Sequence, residues 1–269
     1  VHDGPGIRTT VFMKGCSLSC VWCHNPEAIS ARPEMAFHEA RCISCGVCVE
    51  VCPEGAQALT DEGERRYARD LCVQCGECIE HCHAEAMVVM GSDMTLDEVM
   101  TEVRKDAPFY AHSGGGVTVS GGEPLLQGRF VKALLERCKA EGFHTAVDTC
   151  GLVTWETFAD VLPYVDLVLY DLKHADTLAH REATGSRNEM ILENLEKLGK
   201  SGVAIEIRMP IVPTINDRRD DIVAAAEILS RVDNITCVRL LPYHGLAREK
   251  YRSVGRSLTL PDVASPEHE

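Results

Sequence analysis

Eleven of the 14 cysteines fall into three short runs, and no reading of the fold can ignore them. The first run is Cys16, Cys20 and Cys23, spaced C-x3-C-x2-C within Lys14-Gly15-Cys16-Ser17-Leu18-Ser19-Cys20-Val21-Trp22-Cys23. Three thiolates can hold three corners of a four-iron cube, and no fourth cysteine lies in this run. One iron is then left open to a small molecule, as in a catalytic metal site that keeps a free position. A zinc knuckle, or a disulfide with a spare thiol, is the plainer alternative, but three ligands with no near fourth make a poor structural zinc site.

The second and third runs repeat one another. Cys42, Cys45, Cys48 and Cys52-Pro53 follow C-x2-C-x2-C-x3-C-P, and Cys72, Cys75, Cys78 and Cys82 repeat the spacing thirty residues on, with His83 in place of the proline. This is the two-cluster ferredoxin pattern, in which the fourth cysteine of each run ligates the other cluster. It assigns Cys42, Cys45, Cys48 and Cys82 to one cube, and Cys72, Cys75, Cys78 and Cys52 to the other. Both are closed sites, suited to carrying electrons; a pair of four-cysteine zinc sites is the alternative.

Composition narrows the class. The formal charge of −14, from 27 basic and 41 acidic residues, opposes a nucleic-acid surface. No apolar run is long enough to span a membrane, and no signal peptide is visible. Cysteines at metal-ligand spacing point to a reduced, oxygen-sensitive, cytoplasmic protein rather than a disulfide scaffold. Val1 is not a methionine and the chain stops in a polar tail, 264–269, so the sequence reads as a fragment.

From Thr95 onward strand and helix alternate. Arg8–Lys14, Val117–Ser120, Thr145–Asp148, Leu167–Leu172, Val203–Met209 and Thr236–Leu241 read as strands. Helices are expected from a capping-box-like start at Thr95 to about Lys105, and at Arg129–Glu141, Trp155–Leu162, Glu189–Ser201 and Asp221–Arg231. Six such steps predict an α/β fold with a parallel sheet. In such folds function gathers at the C-terminal strand ends. Ser120-Gly121-Gly122-Glu123-Pro124 lies at one, where glycines allow close backbone approach to a ligand. Asp148-Thr149-Cys150-Gly151 and Asp171-Leu172-Lys173 lie at the next two. Asp171 and Lys173 share a strand face, as do Glu206 and Arg208. Cys138 and Cys237 read as core residues, and Cys150, in its turn, could face the site, with packing the favoured reading.

The C-x3-C-x2-C run resembles the signature of the radical S-adenosylmethionine (radical SAM) enzymes. The lead-in His2-Asp3-Gly4-Pro5-Gly6-Ile7-Arg8-Thr9-Thr10 and the run His24-Asn25-Pro26-Glu27 are similar to those of the activating enzymes of glycyl radical enzymes, one branch of that family. The resemblance implies a partial (β/α)6 TIM-like barrel from residues 1–29 and 93–269, with a ferredoxin-like insert at 30–92. It implies three [4Fe–4S] clusters, SAM on the open iron, and a monovalent cation. The residues it singles out are Cys16, Cys20 and Cys23 for the catalytic cluster, and Gly121, Gly122 and Glu123 for the methionine amino group. Asp148, Thr149 and Asp171 would lie near the cation, Lys173 near the SAM carboxylate, and His244 and Arg208 against SAM. The implied reaction is reductive cleavage of SAM to a 5′-deoxyadenosyl radical, which takes hydrogen from a backbone glycine of a partner glycyl radical enzyme. Electrons would come from an external donor such as flavodoxin or ferredoxin, passing through the insert. A radical SAM enzyme with another substrate, and a ferredoxin-like electron carrier, are the competing readings.

Overall fold

A computed structural model describes residues 3–265; His2 of the lead-in lies outside them. Six parallel strands form one sheet in the order β1-β6-β7-β8-β9-β10: Arg8–Met13 (β1), Gly116–Gly121 (β6), His144–Thr149 (β7), Leu167–Asp171 (β8), Ala204–Ile211 (β9) and Ile235–Pro242 (β10). Strand order follows chain order, as expected when each crossover carries a helix back to the next strand. β1 and β10 stand at the two edges, so the curl is a partial barrel. The inner strands are largely apolar (Val117, Val119, Ala146, Val147, Val168 to Tyr170, Ile205, Ile207) and buried, as a helix-covered parallel sheet requires.

The covering helices are α3 (Leu96–Lys105), α4 (Ala107–Ser113), α5 (Gly128–Ala140), α6 (Trp155–Val161), α7 (Thr177–Thr184), α8 (Glu189–Gly199) and α9 (Arg219–Leu229), with α10 (Arg248–Ser253) after the last strand. α3 begins with a complete capping box: Glu98 N donates to Thr95 Oγ1 at 3.3 Å, and Thr95 N donates to Glu98 Oε2 at 2.7 Å. α5 buries Val131, Leu134, Leu135 and Cys138, the i, i+3, i+4, i+7 stripe that locks a helix onto a sheet. Three of these helices, α4, α7 and α10, are additions to the sequence expectation.

Between β1 and β6 the chain makes an excursion closed at its base by an antiparallel pair, β2 (Glu34–Phe37) with β5 (Met87–Met90). Inside lie a second pair, β3 (Gln57–Leu59) with β4 (Arg65–Tyr67), and two single-turn helices, α1 (Val47–Glu50) and α2 (Glu77–Glu80). Each short helix follows a left-handed glycine, Gly46 or Gly76, so the two cysteine runs fold alike. The base is tied to the barrel by Glu34, which pairs with Arg256 at 3.1 Å and Lys14 at 3.6 Å. Arg69 adds a tie, donating to Ser253 O at 2.9 Å.

Candidate active site

A cavity of about 530 Å³ opens at the C-terminal ends of the six strands. Cys16, Cys20 and Cys23 line it together with Gly121, Gly122, Asp148, Thr149, Asp171, Lys173, Arg208 and His244. Residues from every strand end of the sheet therefore meet in one space. The cysteine loop is pinned from both sides by backbone bonds. Gly15 N and Cys16 N donate to Ala28 O and Ile29 O at 2.8 and 3.1 Å, and Val21 N donates to Ala183 O at 2.9 Å, at the end of α7. Burial pushes all three thiols up, Cys20 to about 12. They are thus neutral near pH 7 until a metal displaces their protons.

The charged residues form two linked pairs. Lys173 Nζ donates to Asp171 Oδ2 at 2.7 Å, and Arg208 Nη1 stands 3.1 Å from Asp148 Oδ2. Ser120 Oγ donates to the same Asp148 oxygen at 2.7 Å. Burial, and then the neighbouring Asp171 carboxylate, raise Asp148 to about 6, against the pull of Arg208. Burial works against the Lys173 charge, but Asp171 and then Cys20 hold its pKa well above the ordinary value. Arg208 Nε and Nη1 are buried without a hydrogen-bond acceptor. The Arg208 side chain nevertheless lines the cavity as a cation, which suits an anionic ligand such as the carboxylate of an amino-acid moiety. Asn216 braces this side: its Nδ2 donates to Lys173 O at 2.9 Å and Pro210 O at 2.6 Å, clamping the ends of β8 and β9 together.

Two features differ from the sequence expectation. Glu123 is fully buried and does not line the cavity. Its carboxylate accepts from Thr149 Oγ1 (2.8 Å to each oxygen), Cys150 N (2.8 Å) and Leu125 N (3.1 Å). It braces the end of β6 against β7 instead of facing a ligand. The glycines are also required by backbone packing. Gly121 has φ +123°, and a Cβ there would lie 2.1 Å from Met13 O; one on Gly122 would lie 2.2 Å from Gly15 O. The close approach is to the cysteine loop itself. Glu206, which shares a strand face with Arg208, pairs with Arg239 at 2.8 Å and lies outside the cavity lining.

Of the lining residues that were not among the candidates, three bear on the site's chemistry. Cys150 lines the cavity beside the three cysteines, the less favoured of the two readings of its turn. His24 stacks on His244 with ring centroids 4.2 Å apart, and Asp3 reaches in from the lead-in turn. His24 and Asp3 lie in the two runs that carry the family resemblance, which was the signal available.

In the excursion, two smaller voids gather the remaining thiols. One is lined by Cys52, Cys72, Cys75 and Cys78, the other by Cys42, Cys45, Cys48 and Cys82. The grouping crosses the two runs in the way the ferredoxin spacing does. Among the described residues no three His, Cys, Asp or Glu converge on a single-ion site. The cysteines surround voids, and an all-thiol donor set of four fits an iron–sulfur cube.

A family model described as the Radical SAM superfamily matches residues 78–226, and one described as a 4Fe-4S dicluster domain matches residues 34–83. The chain is 42% identical to the isethionate sulfite-lyase activating enzyme of Nitratidesulfovibrio vulgaris, over 98% of this chain and 87% of that one. It is 41% identical to the choline trimethylamine-lyase activating enzyme of Oleidesulfovibrio alaskensis, over 95% and 84%. It is 40% identical to the trans-4-hydroxy-L-proline dehydratase activating enzyme of Clostridioides difficile, over 100% and 89%. Among solved structures, Streptococcus suis SuiB bound to S-adenosylmethionine superposes with a TM-score of 0.56 at 13% identity, covering 94% of this chain and 44% of that one. That last likeness is one of fold.

Proposed function

The chain belongs to the radical SAM activating enzymes of glycyl radical enzymes, and from that premise we propose which of its residues carry the activity. Such an enzyme binds an iron–sulfur cluster and SAM, cleaves SAM reductively and acts on a protein substrate. Once bound and reduced, these groups supply the electron and the 5′-deoxyadenosyl radical that takes hydrogen from a backbone glycine of the partner.

The observation that carries the assignment is the convergence of Cys16, Cys20 and Cys23 with the Asp171–Lys173 and Asp148–Arg208 pairs in one cavity. The three thiols hold the cluster, giving up three protons as they do so. Lys173, held cationic by Asp171, and Arg208, which lines the same cavity, receive the carboxylate of SAM and orient it. The backbone of Gly121 and Gly122 offers carbonyl oxygens to the amino group. Glu123 and Thr149 hold that backbone in place from behind. Asp148 and Asp171 face each other as like charges, an arrangement that a monovalent cation would relieve. The stacked His24–His244 pair walls the cavity beside the cysteine loop. None of these side chains need act as an acid or base on the glycine; they bind, orient and exclude water.

Residues 1–29 and 93–269 form the barrel domain, and 30–92 a ferredoxin-like insert that holds two auxiliary [4Fe–4S] clusters, three in all. The insert relays electrons from an external flavodoxin- or ferredoxin-type donor. Among the described residues no helix is long and apolar enough to cross a membrane, and we place the chain in the cytoplasm on its reduced thiols. The partner is a glycyl radical enzyme of the lyase or dehydratase kinds for which the relatives are named. Cys20→Ala, reconstituted with iron and sulfide, should retain iron in the insert and lose 5′-deoxyadenosine formation. Wild-type turnover by this variant would remove the cavity from the account.

A further inference from the structure

The insert contains a buried glutamine with a half-buried arginine partner that the chemistry above does not use. Gln57, in β3, is 2% exposed, although glutamine is ordinarily a surface residue. Its Oε1 accepts from Arg65 Nη2 on the paired strand β4. Its Nε2 faces two sulfurs, Cys78 Sγ and Met35 Sδ, each at 3.8 Å. A guanidinium carries donors only, so Arg65 decides which end of the amide faces which way. The carbonyl turns to Arg65 and the NH2 to Cys78. Arg65 is itself fixed in place, its Cζ lying 3.9 Å from the Phe37 ring centroid and 5.4 Å from that of Tyr67.

The two thiol-lined voids are unequally supplied with donors. Around Cys52, Cys72, Cys75 and Cys78, sulfurs accept from Ala56 N (3.2 Å, to Cys52), Gln74 N (3.4 Å, to Cys72) and Gln57 Nε2. Around Cys42, Cys45, Cys48 and Cys82 the described residues supply Ser44 N, 3.4 Å from Cys42 Sγ. The better-supplied void is also the one tied to the barrel. Arg69, which leads into Cys72, donates to Met35 O at 2.8 Å and to Ser253 O of α10 at 2.9 Å. The equivalent place before Cys42 holds Glu39, and the nearby Arg41 reaches Glu85 O within the insert.

A hydrogen bond aimed at a ligand sulfur favours the more negative, reduced cluster and so raises its potential. We propose that Arg65 and Gln57 form a redox-tuning pair: Arg65 aims the Gln57 amide at Cys78, and this sets the barrel-side cluster at a higher potential than the outer one. Electrons entering at the Cys42 side then pass downhill towards the barrel. The proposal rests on the two-cluster reading of the insert.

The test is an anaerobic redox titration of the reconstituted full chain, followed by electron paramagnetic resonance, beside iron and sulfide counts. Gln57→Met removes the N–H donor at similar volume. Gln57→Glu keeps the link to Arg65 and places a carboxylate near Cys78. With iron unchanged, Gln57→Met should lower the higher of the two auxiliary midpoints and leave the lower one in place. The expected size is about a tenfold fall in the ratio of reduced to oxidised cluster at fixed potential, about 59 mV for a one-electron couple. Gln57→Glu should move the same signal further in the same direction. Should Gln57→Met lose iron, Gln57→Glu decides alone. Unchanged midpoints in a loaded variant, or a shift confined to the lower one, would overturn the tuning role. Wild-type iron sufficient for the barrel site alone would instead overturn the two-cluster reading, and the proposal with it.

Discussion

Replacing Glu123 separates two roles that the Gly-Gly-Glu-Pro turn could give it, a contact to SAM and a brace between β6 and β7. The fully buried carboxylate accepts from the Thr149 hydroxyl and the amides of Cys150 and Leu125. In Glu123→Ala the hydroxyl can turn elsewhere, but the two buried amides lose their acceptor at about 1–3 kcal/mol each. Deleting a carboxyl whose pKa burial has raised returns part of that cost, which leaves a net loss of about 2–4 kcal/mol. For a chain of this size each kcal/mol moves the melting temperature by about 2–4 °C, so a fall of about 4–16 °C is expected. Glu123→Gln keeps one acceptor oxygen and turns an NH2 towards a donor, so its loss should be about half as large. The assay is an anaerobic thermal melt of the metal-free chain without SAM, where no ligand contact contributes. If both variants melt with the wild type while SAM affinity of the reconstituted protein falls, the brace is wrong and the contact is right.

Two further outcomes follow from the same geometry. Gly121→Ala puts a Cβ against Met13 O in a backbone region that alanine resists, and should cost more than about 3 kcal/mol, read as a lower melting temperature or loss of soluble protein; a melt within about two degrees of wild type would refute the packing argument. Asp148 has its folded pKa raised to about 6, so its neutral form favours the folded state at low pH, and that stabilisation is lost as pH rises from about 4 to about 6 and is constant above. Asp148→Asn should therefore flatten the melting-temperature profile of the metal-free chain across that window, and an unchanged slope would contradict the upward push on Asp148 from burial and then Asp171.

Much of this architecture was legible because the residues that make it repeat in simple ways. The inner strands are short runs rich in β-branched and aliphatic residues, and their spacing by helical segments leaves a parallel sheet as the economical arrangement. The thiol-lined voids were legible because C-x2-C-x2-C-x3-C leaves its last cysteine out of reach of its own cluster. The illegible parts have physical reasons. α7 reads Thr-Leu-Ala-His-Arg-Glu-Ala-Thr, with no apolar stripe, and forms because Asp176 caps it, accepting from Leu178 N and Ala179 N at 2.9 and 2.8 Å. β2 to β5 span three or four residues each, too short for an alternation to register. Side-chain direction at strand ends was hidden as well. Glu123 turns inward because the Leu125 and Cys150 amides need an acceptor, and Cys150 lies against that carboxylate at the cavity's edge. No local spacing encodes either.

The central claim is that this chain uses SAM to take a hydrogen atom from a backbone glycine held over the Cys16–Cys20–Cys23 cavity. It is tested most directly by reconstituting and reducing the protein without oxygen, then adding SAM and a glycyl radical enzyme with deuterated glycine. Mass spectrometry of the 5′-deoxyadenosine should show deuterium, and Cys20→Ala should give no product. Undeuterated 5′-deoxyadenosine formed at the same rate with and without the partner, from a partner shown to be fully labelled, would contradict it.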